Sequence, residues 1–257
     1  MVIEKNNHWT IWPTSMGNVH DVEKSNFTYA QNYGEKITLT SLVYLLKGGP
    51  KLILLDTGMS DPDWAQQYHS PSSREKFQEP LTALANLQVT PEEIDIVILT
   101  HLHWDHCFNI SLFPNSRIIV QKDEVQYALF PLPIHNIYYE ALSMGMTPVW
   151  LKDISRLEIV DGDLEVVPGV SIVKLPGHTP GFQGVNIKTE KGYHLIAGDL
   201  CPLFENWPDM DKEPIPPGIH VNLVDCYDSY RKARAFAQLI LPGHDMKVLE
   251  YESFPIR

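Results

Sequence analysis

Three things are scarce in this 257-residue chain. Cysteine occurs three times, an odd count with no framework spacing, so a fold stapled by disulfides is not expected and a reducing compartment is. Positive charge is outnumbered, 20 lysines and arginines against 32 aspartates and glutamates, for a net charge of −12. A nucleic-acid partner needs a basic face that releases counterions, and the acidic balance argues against one. The basic cluster Arg231, Lys232 and Arg234 falls in a stretch of helical spacing and reads as its solvated side. No run approaches the roughly 18 apolar residues of a membrane span. Between Met1 and Pro13 the only positive charge is Lys5, with no apolar core of signal-peptide length. The expectation is a soluble, cytoplasmic protein with no nucleic-acid or membrane partner.

Apolar patterning points to one α/β domain over 1–257. Ile37 to Leu46 and Lys51 to Leu55 flank Gly48-Gly49-Pro50 and read as a hairpin ending in Asp56-Thr57-Gly58. Phe77, Leu81, Leu84 and Leu87 give Glu75 to Leu87 a helical period, and Thr90-Pro91-Glu92-Glu93 is a capping-box pattern. Ile94 to Leu99 and Arg117 to Gln121 are strand-like, and Asp123 to Phe130 is helical up to Pro131. A helical insertion is expected at about 123–157, rich in aromatics and methionine. It reads as core packing, as the apolar wall of a substrate pocket, or as a surface that pairs with a second copy, so a homodimer is one expectation.

The densest chemistry is His101-Leu102-His103-Trp104-Asp105-His106, four metal-binding side chains in six residues directly after an apolar run. Imidazole and carboxylate together suit zinc and its neighbours, and without an ion so many polar groups at one strand end would lack partners. Further apolar strands stop at His178, Asp199 and His244, and ligands at strand ends along one sheet edge can converge. The seven candidates His101, His103, Asp105, His106, His178, Asp199 and His244 are too many for one tetrahedral ion and suit two if a carboxylate bridges. Two such ions hold a hydroxide at neutral pH, and the expected chemistry is hydrolysis. Cys107 follows His106 and Cys201 lies two residues beyond Asp199, but both read as small buried hydrophobes, and His135 and His194 as ordinary histidines.

The motif His101-x-His103-x-Asp105-His106, with Gly-His178, Gly198-Asp199, Gly-His244 and the upstream Leu55-Asp56-Thr57-Gly58, resembles the ligand set of the metallo-β-lactamase superfamily over roughly Leu42 to Asp245. The resemblance implies a four-layer αβ/βα sandwich of two mixed sheets flanked by helices. It also implies that His101, His103 and His178 hold one metal, that Asp105, His106 and His244 hold the other, and that Asp199 bridges. Asp56 would orient a ligand from behind. Two zinc ions per chain are expected, with iron, manganese or cobalt as substitutes.

Within the superfamily the chain is most similar to the N-acyl-homoserine lactonase branch, through Glu205-Asn206-Trp207, Pro216-Pro217-Gly218-Ile219 and the ending His244-Asp245. That implies a dinuclear zinc hydrolase opening a lactone or related cyclic ester or amide. Asp105 or Asp199 would move the proton, and the small-molecule substrate would have an apolar part. Where those lactonases carry a tyrosine, this chain has Pro202, which donates no hydrogen bond. Tyr138, Tyr139 or His220 are candidate replacements, and Trp104, Trp150 and Trp207 are further candidates for the substrate pocket. The competing classes are a mononuclear iron persulfide dioxygenase, a thioesterase of the glyoxalase II type, and a binding module on a degenerate scaffold.

Overall fold

A computed structural model describes residues 8–256, so Lys5, read above for a targeting signal, lies outside the described residues. Twelve strands are found among the described residues: β1 (Thr10–Glu23), β2 (Lys36–Lys47), β3 (Ile53–Leu55), β4 (Ser72–Ser73), β5 (Ile96–Ile98), β6 (Arg117–Gln121), β7 (Leu157–Val160), β8 (Leu164–Val167), β9 (Val170–Lys174), β10 (Gln183–Thr189), β11 (Gly192–Gly198) and β12 (Leu239–Pro242). They build a seven-stranded sheet, β4-β1-β2-β3-β5-β6-β7, and a five-stranded sheet, β12-β11-β10-β9-β8. Both sheets are mixed: β3, β5, β6 and β7 run parallel to one another, as do β11 and β12, and the other pairings are antiparallel. Five α-helices accompany them: α1 (Pro62–Tyr68), α2 (Pro80–Asn86), α3 (Trp104–Cys107), α4 (Lys122–Leu129) and α5 (Leu223–Arg234).

The alternation of side chains along a strand sets the layers. On β2, Leu42, Tyr44 and Leu46 enter the core between the sheets, where they meet Val170, Ile172, Val185, Ile187, Ile196 and Leu241. Val43 and Leu45 point the other way and pack with Ala83 and Leu84 of α2 and Val125 and Ala128 of α4. The second sheet repeats the scheme: Val173, Leu195, Ala197 and Ile240 pack against Cys226, Tyr230 and Ala233 of α5. Central strands buried on both faces therefore read as continuous apolar runs. Each fully buried aliphatic side chain contributes roughly 1.5–3 kcal/mol. The result is the four-layer αβ/βα sandwich.

Several local expectations changed. β1 is the longest strand and was not read from the sequence, because Pro13 interrupts its pattern. Proline is accommodated since β4 pairs with β1 only at Asn18 and Val19, leaving one side of Pro13 free. The helix expected over Glu75–Leu87 is broken before Pro80: Lys76–Gln78 forms a 3-10 turn, and Phe77 and Leu81 are exposed while Leu84 is buried. Beyond α4, the 123–157 segment holds only 3-10 turns, at Pro133–His135, Leu142–Met144 and Val149–Arg156. Prolines 131, 133 and 148 prevent a longer α-helix there.

Candidate metal centre

Four chain segments leave strand ends on one edge of the sandwich. β5 runs into Thr100 and His101, and His103 then caps α3, the single turn that carries Asp105 and His106. His178 follows β9, Asp199 follows β11, and His244 follows β12. The ligand atoms gather in two groups, each with its members within 4.8 Å of one another: His101, His103, His178 and Asp199, and Asp105, His106 and His244.

Asp199 lies between them. Its Oδ2 is 3.4 Å from His178 Nε2 and 4.0 Å from His101 Nε2. Its Oδ1 is 3.1 Å from His244 Nε2 and 3.4 Å from His106 Nε2, yet is buried without a hydrogen-bond partner. Asp105 Oδ2 completes the second group at 3.7 Å from His244 Nε2 and 3.8 Å from His106 Nε2. Gly243 makes room for this arrangement, since a Cβ there would stand 2.4 Å from Asp199 Oδ1.

The outward nitrogens are held by groups that fix the tautomer. His178 Nδ1 donates to the Ile219 carbonyl at 2.8 Å, and His244 Nδ1 to the Thr40 carbonyl at 3.0 Å. His106 Nδ1 donates to Asp56 Oδ2 at 2.8 Å. Thr100 Oγ1 donates to Asp56 and so is free to accept from His101 Nδ1 at 3.0 Å. Carbonyls and carboxylates only accept, so each neutral ring carries its hydrogen on Nδ1 and presents a lone pair at Nε2. These lone pairs face one another: His178 and His101 Nε2 are 3.3 Å apart, and His106 and His244 Nε2 are 3.3 Å apart. Converging lone pairs, with an orphaned carboxylate oxygen between them, fit a cation, and five imidazoles with two carboxylates suit zinc or a first-row relative.

Electrostatics divide the site. Burial, helped by the neighbouring imidazoles, pushes His101 and His103 well below the ordinary histidine value, and burial lowers His178 to about 4. All three are thereby kept neutral, as a metal ligand requires. Burial opposes protonation of His106 and His244 too, but Asp199 and Asp105 outweigh it and raise both, with Asp56 adding to the effect on His106. Asp199 is held well below the usual carboxylate range by His244 and His106 against the effect of its burial.

One buried carboxylate the sequence reading missed supports this frame. Glu124 of α4 accepts from Leu102 N at 3.0 Å, between His101 and His103, and from Thr179 Oγ1 at 2.5 Å, next to His178. It also accepts from Tyr139 OH at 2.8 Å. Burial pushes its carboxyl up, and these donors pull it back. It thus ties the two ligand-bearing loops together. No local motif marks it; a charged residue among the apolar positions of α4 was the only signal.

A cavity of about 270 Å³ opens over the centre, with His103, Asp105, His178, Asp199 and His244 on its polar side and Val19, Phe27, Leu39, Ile137 and Ile219 on its apolar side. Trp104 and Tyr138 line it. Other pocket candidates lie elsewhere. Tyr139 is buried with its hydroxyl given to Glu124 and Trp150 packs in the helix-side core, while Trp207 packs beside Tyr230. His220 meets Tyr29 edge to face and bonds the Pro217 carbonyl. None of these four lines the cavity. Cys107 and Cys201 are buried, with their thiols directed at the Leu102 and Leu203 carbonyls, and belong to neither ligand group.

Known proteins share this architecture. An N-acyl homoserine lactonase of Bacillus cereus is 30% identical over 199 residues, covering 73% of this chain and 74% of that one. Another from a Bacillus species is 32% identical over 185 residues, covering 68% and 69%. Among solved structures, an N-acyl homoserine lactone hydrolase with its product N-hexanoyl-L-homoserine at the catalytic metal centre superposes with a TM-score of 0.74 at 24% identity, covering 94% of this chain and 95% of that one. The sequence profile of the metallo-beta-lactamase superfamily matches residues 38–244, from β2 to the last ligand candidate, and the chain belongs to that superfamily.

Proposed function

We propose that this protein is a metal-dependent hydrolase that opens a lactone ring, with N-acyl homoserine lactones as the substrate class, on two zinc ions. His101, His103 and His178 would hold one ion and Asp105, His106 and His244 the other, with Asp199 between them. The observation that carries this reading is the position of Asp199, which reaches both groups: Oδ2 is 3.4 Å from His178 Nε2, and Oδ1 and Oδ2 are 3.1 and 3.2 Å from His244 Nε2. Lactonase names among relatives of 30% identity support the substrate class. Iron, manganese or cobalt would suit the same donors.

Bound there, such ions would supply a hydroxide at neutral pH and an electrophile for the ester carbonyl. The chain's own groups do the rest. Asp199 stays ionised and fixes the relation of the two groups. Asp105, the more accessible carboxylate at 18% side-chain exposure against 6% for Asp199, faces the cavity and carries the proton to the leaving alkoxide. Ring opening would add the elements of water across the ester: a C–O bond would form at the carbonyl carbon, the ring C–O bond would break, and the proton of the added hydroxide would pass by Asp105 to the leaving alkoxide, giving the open hydroxy acid. Tyr138 lines the cavity, and burial together with Asp105 raises its phenol, so it remains a donor in place of the tyrosine that Pro202 replaces. The apolar side of the cavity suits an acyl chain.

A one-iron sulfur dioxygenase would leave Asp105, His106 and His244 without a role, which favours hydrolysis. We also assign the chain a single domain with the insertion at about 123–157, and a cytoplasmic site of action, in keeping with three buried free cysteines. No helix among the described residues is long and apolar enough to cross a membrane. The test is His106→Ala. Metal content should fall from two ions per chain to one, and ring opening of N-hexanoyl homoserine lactone should nearly vanish. Unchanged turnover would refute the two-ion scheme.

A further inference from the structure

A second imidazole–carboxylate pair faces the same cavity without belonging to the metal centre. Glu140, in the insertion, is buried and accepts from His69 Nε2 at 3.0 Å and from Trp64 Nε1 at 2.6 Å. His69 caps the C-terminal end of α1 and stacks on Trp104, rings 4.0 Å apart and 6° from parallel. It lines the cavity beside Trp104 and Tyr138. Glu140 has φ of +50°, a left-handed conformation that a non-glycine residue holds only where its surroundings enforce it. Asp56, behind His106, has φ of +59°. Each left-handed residue thus presents a buried carboxylate to an imidazole, His106 among the metal-ligand candidates and His69 on the cavity wall.

The hydrogen-bond inventory assigns the remaining nitrogen. A carboxylate only accepts, so the hydrogen between Glu140 and His69 belongs to Nε2, and the neutral ring bears its lone pair on Nδ1. Nδ1 has no hydrogen-bond partner among the described residues. Glu140 and the Trp104 stack prevent the ring from turning away. We propose that His69 is a specificity residue: its Nδ1 accepts a hydrogen bond from an N–H or O–H of the substrate close to the ester that is cleaved. Favoured substrates then carry a secondary amide or hydroxyl beside the lactone, and plain lactones are poorer. The assignment rests on the lactone-opening reading and names what that site distinguishes.

Three lactones of matched chain length test it: N-hexanoyl homoserine lactone, its N-methyl amide, and a plain alkyl γ-lactone. The ratio of kcat/KM for the secondary amide to that for the plain lactone is measured in the zinc-loaded wild type, in His69→Phe, which keeps the stack on Trp104, and in His69→Gln, which restores an acceptor. Metal content and melting temperature are recorded for each. The ratio should fall about tenfold in His69→Phe, the size of one neutral hydrogen bond, and recover in part in His69→Gln. A ratio unchanged in His69→Phe, or both substrates falling by one factor, overturns the assignment. If His69→Phe does not fold, the wild type decides, and equal use of the secondary and N-methyl amides overturns it. A wild type that opens none of the lactones refutes the proposed reaction itself, a result distinct from an unchanged ratio.

Discussion

Asp56 Oδ2 accepts from His106 Nδ1 at 2.8 Å while both Asp56 oxygens accept from Thr100, whose hydroxyl stands 3.0 Å from His101 Nδ1. One carboxylate thereby orients an imidazole in each ligand group. Asp56→Ala should weaken cation binding about 10- to 100-fold, the usual consequence of removing a ligand's outer partner. Asp56→Asn, which keeps an acceptor but loses the charge, should lie between. Competition with a zinc-chelating dye measures both, and wild-type affinity in Asp56→Ala would refute the orienting role.

Glu124→Leu should act on the same loops from the other side. It leaves the Leu102 amide, the Thr179 hydroxyl and the Tyr139 hydroxyl without their acceptor in a dry interior. A destabilisation of about 3 kcal/mol or more is expected, since each orphaned group costs about 1–3 kcal/mol. Urea denaturation of the metal-free protein checks this, and a midpoint equal to wild type would count against the clamp.

Gly243→Ala is a purely local probe. Its methyl would sit 2.4 Å from Asp199 Oδ1 and 2.9 Å from the Gly198 carbonyl carbon. Turnover should drop at least tenfold because an ångström of displacement at a reacting centre is costly. Turnover within twofold of wild type would show that Asp199 tolerates the shift.

Acidity should open the metal-free site. His178 titrates at about 4 against an ordinary value of 6.5, and His101 and His103 are lowered in the same direction. With a lowered folded-state value, the unfolded chain binds the proton first as pH falls. The stability involved is intact above 6.5 and lost on the way down to about 4, amounting to about 3 kcal/mol for His178. His106 and His244, which are raised, act oppositely, losing their contribution as pH climbs through their raised values. The melting temperature of metal-free protein should therefore decline across this window, and loaded protein should release its ions there. A flat melting temperature from pH 6.5 to 4 would contradict the assignment of the three neutral imidazoles.

The ligand candidates were legible because chemistry and punctuation coincide: His101 to His106 are contiguous, and His178, Asp199 and His244 each follow an apolar strand. The orienting groups were not. Glu140 looks like an ordinary solvated acid, Glu124 is marked only by sharing the buried face of α4 with Val125 and Ala128, and the tertiary structure gives both their roles. Aromatic composition was similarly silent about direction. Trp104 and Tyr138 meet the cavity, whereas Trp150 and Tyr139 fill the space behind it. β1 escaped notice because Pro13 and its register shifts break the alternation that marks a strand.

His101, His103, Asp105 and His106 belong to the first sheet's half of the molecule, and His178, Asp199 and His244 to the second. A seated ion would therefore rivet the seam between halves that otherwise adhere through their shared oily interior and a few polar ties, among them Thr179 to Glu124 and Gln121 to Gln183. Stripping it with a chelator should let the two lobes breathe, so that amide exchange quickens along β5 and β12 together rather than on either one alone.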